Sequence, residues 1–169
     1  MSDIKDIRKP PCSIEAEKAV LGCMLLSKDA ISKATQILIK DSFFDNSHQI
    51  IFESILELSD TQQSIDSITI IEYLTKKDVL KKVGDSYYIT GLTEEAPSSE
   101  NVEHYANIVK EKYILRTIIR TARDMTSNAY DQNNDSNEIL DNAESKIFEL
   151  SKKAEKGKFQ EISPILEKV

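Results

Sequence analysis

The sequence predicts an all-α fold: a globular bundle of about six helices followed by an antiparallel helical hairpin. Three observations carry that prediction. Apolar residues recur at i, i+3, i+4 and i+7 along almost the whole chain. Only four glycines and four prolines punctuate 169 residues, too few for the frequent turns of an all-β domain. The stretch 100–130 contains neither, so nothing in it stops a helix of about eight turns.

The first helix should run from about Ile14 to Leu26. Pro10-Pro11 stops any earlier regular structure, and Ser13 can cap the new helix by accepting from a free backbone N–H. Glu15 and Glu17 read as helix-start carboxylates at the positive helix end. Ile14, Ala16, Val20, Leu21, Met24 and Leu25 supply the apolar face. Gly22 inside that face weakens the helix by about 1 kcal/mol against alanine, which predicts a close approach by another helix. A second helix follows from about Asp29 to Ile39, with Ile31, Ala34 and Leu38 inward. Asp41 to Asp45 is a connector with two aromatic anchors, Phe43 and Phe44. Asn46 or Ser47 caps a third helix whose stripe is His48, Ile51, Phe52, Ile55 and Leu56.

Ser64 to Ile71 favours a strand by its β-branched residues, but Asp66 is a good cap and Ile68, Ile71 and Leu74 keep helical spacing, so helix is the reading. Val79 to Val83 reads as one short turn. Gly84-Asp85 breaks and restarts the chain into a short helix through Tyr88 and Leu92. Pro97-Ser98-Ser99 opens the longest element, from about Glu100 to Tyr130, with Val102, Tyr105, Ala106 and Val109 on one face of its first half. In its second half Ile114, Leu115, Ile118, Ile119, Ala122 and Met125 span about 140°, wider than the roughly 100° stripe of a helix serving one core. A polar turn at 131–135 leads to a return helix, capped by Ser136 and running to about Lys156. It carries Ile139, Leu140, Ala143, Ile147 and Leu150, and Phe148 falls off that stripe. Two helices alone cannot bury so wide an apolar surface, so the hairpin packs on the first part of the chain or meets another molecule. Gly157 ends it, and Ser163-Pro164 reads as a further helix start. The sequence stops barely one turn later, as a cut within a longer protein would leave it.

Composition narrows the function. The net charge is −7 and the pI about 5.0, which argues against an autonomous nucleic-acid binder, because phosphate affinity needs clustered Lys and Arg. The lysine groups at 76, 77, 81 and 82 and at 152, 153, 156 and 158 stand among acids or at helix ends and read as solvated faces. Cys12 and Cys23 form no Cys-x-x-Cys pair and have no histidine nearby in sequence, so neither a disulfide framework nor a zinc site is expected. The N-terminus is polar and no apolar run approaches 18 residues, which predicts a cytosolic protein without signal peptide or membrane span. The glycosylation pattern at Asn134-Asp135-Ser136 is then chance.

Catalytic chemistry has no local support. A Gly-x-x-x-x-Gly-Lys-Ser/Thr loop is absent: Leu92 follows Gly91, and Gly157-Lys158 has Lys152 in place of the first glycine and Phe159 in place of Ser or Thr. Asp131, Asn133 and Asp135 imitate a calcium loop, but Ser136 stands where glycine is required and Asn142 where the bidentate glutamate belongs. His48 reads as a satisfied core residue and His104 as a surface one, and no Cys–His or Ser–His arrangement suggests a nucleophile. A small helical hydrolase therefore fails for want of nucleophile, base or metal cluster. Catalytic, cofactor-binding and metal residues are all expected to be absent.

Taken together in order and spacing, these segments resemble the N-terminal domain of the bacterial replicative DNA helicase, the DnaB family. The resemblance covers Pro10 to the C-terminus. It is carried by Ser13-Ile14-Glu15-Ala16-Glu17 leading to Val20-Leu21-Gly22, by Phe43-Phe44 followed by His48, Ile51 and Phe52, and by Ile65-Asp66 with Thr69 and Leu74. Gly84 with Tyr88 and Leu92, Pro97-Ser98 with Asn101, Tyr105, Ala106, Ile108 and Val109, and then Arg116 complete it. The chain departs from the family at Ser64, often proline, and at Asp85, often a second glycine.

The resemblance implies an N-terminal arm over 1–12, disordered or extended, a globular head over 13–98, a long helix and hairpin over 99–156, and a linker with the start of a linker helix over 157–169. It implies pairing through the hairpins, a hexamer whose collar is a trimer of such pairs, and recruitment of primase through the primase's C-terminal domain. A helicase loader is a further possible partner, DNA is met only through the parent hexamer, and the place of action is the cytoplasmic replication fork. ATP, magnesium and 5′-to-3′ unwinding belong to a RecA-like motor domain of the parent, outside these residues. Within that frame Leu115, Ile118, Ile119 and Phe148 are the candidate self-association residues. Glu15, Glu17, Leu21, Gly22, His48, Phe52, Asp66, Gly84, Pro97, Tyr105 and Arg116 are structural. The rival reading is a free-standing helical adaptor or helicase-binding module.

Overall fold

The computed structural model describes residues 8–155 apart from 62, 132 and 134; Ser163-Pro164, the rest of the expected linker and the first seven residues lie outside this range. Seven α-helices and three short 3-10 turns, and no strand, occur among the described residues. The fold is all-α.

Helix α1 spans Ile14–Leu26, the predicted bounds, and Ser13 caps it by accepting from the Ala16 N–H at 3.3 Å. Val20, Leu21, Cys23 and Met24 are wholly buried, and each such side chain contributes about 1.5–3 kcal/mol on leaving water. Helix α2 spans Lys28–Ile37, capped by Ser27. Leu38 has already left the helix yet stays buried with Ile31 and Ala34. A 3-10 turn at Lys40–Ser42 brings the chain to α3, Asn46–Asp60. The cap of α3 is Asp45, not Asn46 or Ser47: its carboxylate accepts from the Ser47 N–H at 2.7 Å. Asp45 is the residue with extended backbone, the conformation a cap needs. Phe43 is a true core anchor with its ring 4.9 Å from that of Phe52. Phe44 is not, for it stays 39% exposed.

Helix α4, Ser67–Lys76, starts from a capping box in which Asp66 accepts from the Thr69 N–H at 2.8 Å and the Thr69 hydroxyl accepts from the Asp66 N–H at 3.0 Å. The predicted stripe is rotated: Ile70 and Leu74 are buried while Ile68 is 75% exposed. Apolar residues at 68, 70 and 71 leave the inward face undefined by spacing, and packing against α3 and α5 selects Ile70. After a 3-10 turn at Leu80–Val83, Gly84 turns left-handed at φ +100° and Asp85 follows at φ +71°. Asp85 thus holds a backbone conformation that glycine adopts freely, at the position where the resemblance expects a second glycine.

Helix α5, Asp85–Glu94, crosses α1 at Gly22. A Cβ there would stand 2.2 Å from the Leu92 carbonyl oxygen and 2.8 Å from the Ala96 Cβ, the close approach expected of it. Helix α6 runs Val102–Tyr130, and Val102, Ala106 and Val109 complete the core formed by α1 and α2. Helix α7, Ser136–Glu155, returns antiparallel to it: Lys146 Nζ lies 3.5 Å from Asp124 Oδ2, and Lys153 Nζ lies 6.0 Å from the ring of Tyr113. Asp135 rather than Ser136 caps α7, since its carboxylate accepts from the Asn137 N–H at 3.1 Å and its carbonyl from Ile139.

Candidate functional site

The most elaborate polar arrangement lies inside the head. Glu17 is 1% exposed and His48 0%. Glu17 Oε1 accepts from the Phe44 N–H at 2.7 Å, and Oε2 from the Asp45 N–H at 3.3 Å. His48 Nδ1 is 2.6 Å from the same Oε2, and His48 Nε2 is 2.7 Å from the Tyr88 hydroxyl. Both carboxylate oxygens accept, so Nδ1 donates, and Nε2 shares a hydrogen bond with the Tyr88 hydroxyl. Burial, followed by the charges of Asp45 and Glu17, pushes the Tyr88 hydroxyl up to about 12, which keeps it protonated. His48 is the satisfied core residue its place on the stripe predicted. Glu17 corrects the sequence reading: only Glu15 is a solvated helix-start carboxylate, loosely paired with Lys18 at 3.9 Å. A signal was present, an acid beside Val20 and Leu21 on one apolar face and a histidine on another.

The order of atoms resembles a general-base relay, yet both the acid and the imidazole are sealed from solvent, so no substrate atom can reach the imidazole. The cluster instead fastens three elements, α1, α3 and α5, and the connector before α3. Cys23 is likewise an interior group: its thiol points at the Pro97 carbonyl at 3.6 Å, and burial pushes it up. Arg116 makes a second fastening. Its Nη1 donates to the Pro11 carbonyl at 2.8 Å and its Nη2 to the Ser42 carbonyl at 2.6 Å, with the guanidinium 5.5 Å from the centre of the Phe44 ring. The N-terminal residues, the connector and α6 are thereby tied together.

The remaining sequence-singled residues fall into place without forming a cleft. Leu21 and Phe52 are core, Asp66 and Gly84 shape helix starts, and Tyr105 is half-buried with His104 edge-on to it at the surface. No group of three His, Cys, Asp or Glu among the described residues could hold a metal ion. No described helix is long and apolar enough to cross a membrane.

The candidate functional surface is on the hairpin. Leu115, Ile118 and Ile119 of α6 are 39%, 48% and 39% exposed, and Leu140, Ile147 and Phe148 of α7 are 63%, 54% and 61% exposed. Between the two helices only Thr121 and Ala143 are buried below the level of the head. The small side chain at Ala143 lets α7 lie close to α6, so the larger residues splay outward. Lys152 Nζ sits 4.4 Å over the ring of Phe148, which holds the phenylalanine on the surface. These exposed apolar side chains make the hairpin the candidate surface for a protein-protein contact.

Comparison with known proteins identifies the family and the fold. Residues 9–111 match the family model of the DnaB-like helicase N-terminal domain. The replicative DNA helicase DnaC of Bacillus subtilis is 37% identical over 98% of this chain, and the replicative DNA helicase DnaB of Geobacillus stearothermophilus is 38% identical over 98%. This chain spans 37% of the length of each. The crystal structure of the N-terminal domain of DnaB helicase from Mycobacterium tuberculosis superimposes with a TM-score of 0.77 at 31% identity, covering 83% of this chain and 99% of that one.

Proposed function

This chain belongs to the DnaB-like helicase N-terminal domain family, and from that premise we propose that it is the non-catalytic assembly and docking domain of a hexameric replicative DNA helicase. Its copies pair through the hairpins, the pairs form the collar of the hexamer, and the collar recruits primase through the primase's C-terminal domain in the cytoplasm. ATP and magnesium are handled by the motor domain of the parent protein, because these 169 residues hold no phosphate loop.

The observation that supports this reading is the set of large apolar side chains the hairpin leaves exposed, Leu115, Ile118 and Ile119 on α6 and Phe148 on α7. A second copy of the same face would cover it in an isologous contact. Sedimentation of the chain and of its Ile119→Asp and Phe148→Asp variants tests it, alone and with the cognate primase C-terminal domain. Both substitutions should lower the associated mass, since each places a charge in an apolar contact. An unchanged mass in both would remove the hairpin from the assembly. Absence of a primase complex with the wild-type chain would remove the docking role and leave assembly standing.

A further inference from the structure

A groove of about 1040 Å³ runs between the N-terminal residues and α6. Its lining joins apolar Pro10, Pro11, Phe44, Ile119 and Ala122 to basic Lys9, Arg120 and Arg123. The two arginines share a face of α6 with Arg116, at i, i+4 and i+7. Lys9, Arg120 and Arg123 are exposed and make no ion pair or hydrogen bond with any described residue. Arg116 is different, engaged with Pro11 and Ser42. Its guanidinium is pushed down, first by burial and further by the neighbouring Arg120. Exposed cations gathered at one groove of a chain of net charge −7 make a local positive patch that attracts an anionic partner.

We infer that this groove binds an acidic segment of another protein, with carboxylates on Arg120, Arg123 and Lys9 and an apolar side chain against the apolar lining. The chemistry favours a peptide over nucleic acid. The Arg116 guanidinium lies over one face of the Phe44 ring, and the other aromatic ring of the lining, Phe43, is buried, so the groove has no run of exposed rings for successive bases to stack on. Asp41 and Asp124 stand at the groove and would repel a continuous phosphate backbone, whereas a peptide can place its carboxylates away from them. Ile119 belongs both to the groove and to the proposed self-association surface, so the arginines rather than Ile119 distinguish the two.

The test is selection of random dodecapeptides on the full chain, followed by anisotropy titration of the best binder. Enriched peptides should be rich in Asp and Glu and carry a large apolar residue, and their binding should weaken as salt is raised. Arg120→Glu with Arg123→Glu should weaken binding by at least about tenfold, whereas Lys81→Glu with Lys82→Glu, exposed on another element, should change it by less than about twofold. Circular dichroism should show both double variants folded, and an unchanged sedimentation mass for the arginine variant would separate this site from hairpin pairing. Enrichment of non-acidic peptides, or equal losses in the two double variants, overturns the proposal. So does tighter binding of a single-stranded oligothymidine probe through the same arginines, which would make the groove a nucleic-acid site.

Discussion

The head and the hairpin solve the problem of apolar surface in opposite ways. In the head, α1 to α5 and the first half of α6 enclose a core of fully buried aliphatic and aromatic side chains, and even its carboxylate, imidazole and thiol point at partners. No buried side-chain nitrogen or oxygen among the described residues lacks a hydrogen bond. In the hairpin, the second half of α6 and the 20-residue α7 bury little between them and leave seven large hydrophobic side chains open. The difference teaches where stability resides and where association resides. A substitution in the head should act on folding, and one on the hairpin face should act on assembly.

The sharpest way to break that contrast is Glu17→Ala. It removes the acceptor of two backbone N–H groups and of His48. Urea denaturation should show a loss of about 3–5 kcal/mol, as for one half of a buried pair; a loss below about 1 kcal/mol would mean the cluster is not what fastens the head. Gly22→Ala comes next. Alanine favours a helix by about 1 kcal/mol, but the added Cβ collides with the Leu92 carbonyl, so a net loss of about 1–3 kcal/mol is expected. A more stable protein would show that α5 is free to move off α1.

Tyr88→Phe is a smaller and pH-specific probe. The folded hydroxyl titrates at about 12, against roughly 10 in the unfolded chain. Above the unfolded value the unfolded state has lost a proton that the folded state keeps, so stability falls as pH rises through that interval. The variant should be weaker near neutrality by about 1–2 kcal/mol, because His48 Nε2 loses its hydrogen-bond partner, and thermal melts should show a shallower alkaline decline. An unaltered decline would place its source elsewhere. Phe148→Asp should have the least effect on folding, within about 0.5 kcal/mol in dilute solution, while changing the sedimenting mass. A large loss of stability at low concentration would show that the hairpin face is part of the fold.

Much of this was legible in the chain. Ser13 as cap, Gly22 as close approach, His48 as core, Asp66 as cap and Gly84 as break each follow from a local rule that depends on a few neighbouring residues. The errors share a cause. Asp45 and Asp135 cap helices assigned to the residues after them, because several adjacent Asp, Asn and Ser residues satisfy the same rule. Ile68 faces solvent because a dense β-branched run has no unique helical face. Of the candidate surface, the wide stripe on α6 and the displaced Phe148 could be seen from periodicity. The basic groove could not, for Lys9 and Arg123 are brought together only when the N-terminal residues are tied to α6 through Arg116.

By itself the sequence determined the helices, their approximate limits and the family pattern, since helical periodicity, capping and chain breaks act over a turn or two. Only the tertiary structure decided that Glu17 is an interior acid, that Phe44 stays at the surface and that Arg120 and Arg123 line a groove. Those outcomes depend on which distant residue arrives opposite each side chain. A carboxylate on an apolar face is tolerable when His48 and two backbone N–H groups reach it, and that meeting is set by the packing of α1 against α3 rather than by anything local to Glu17.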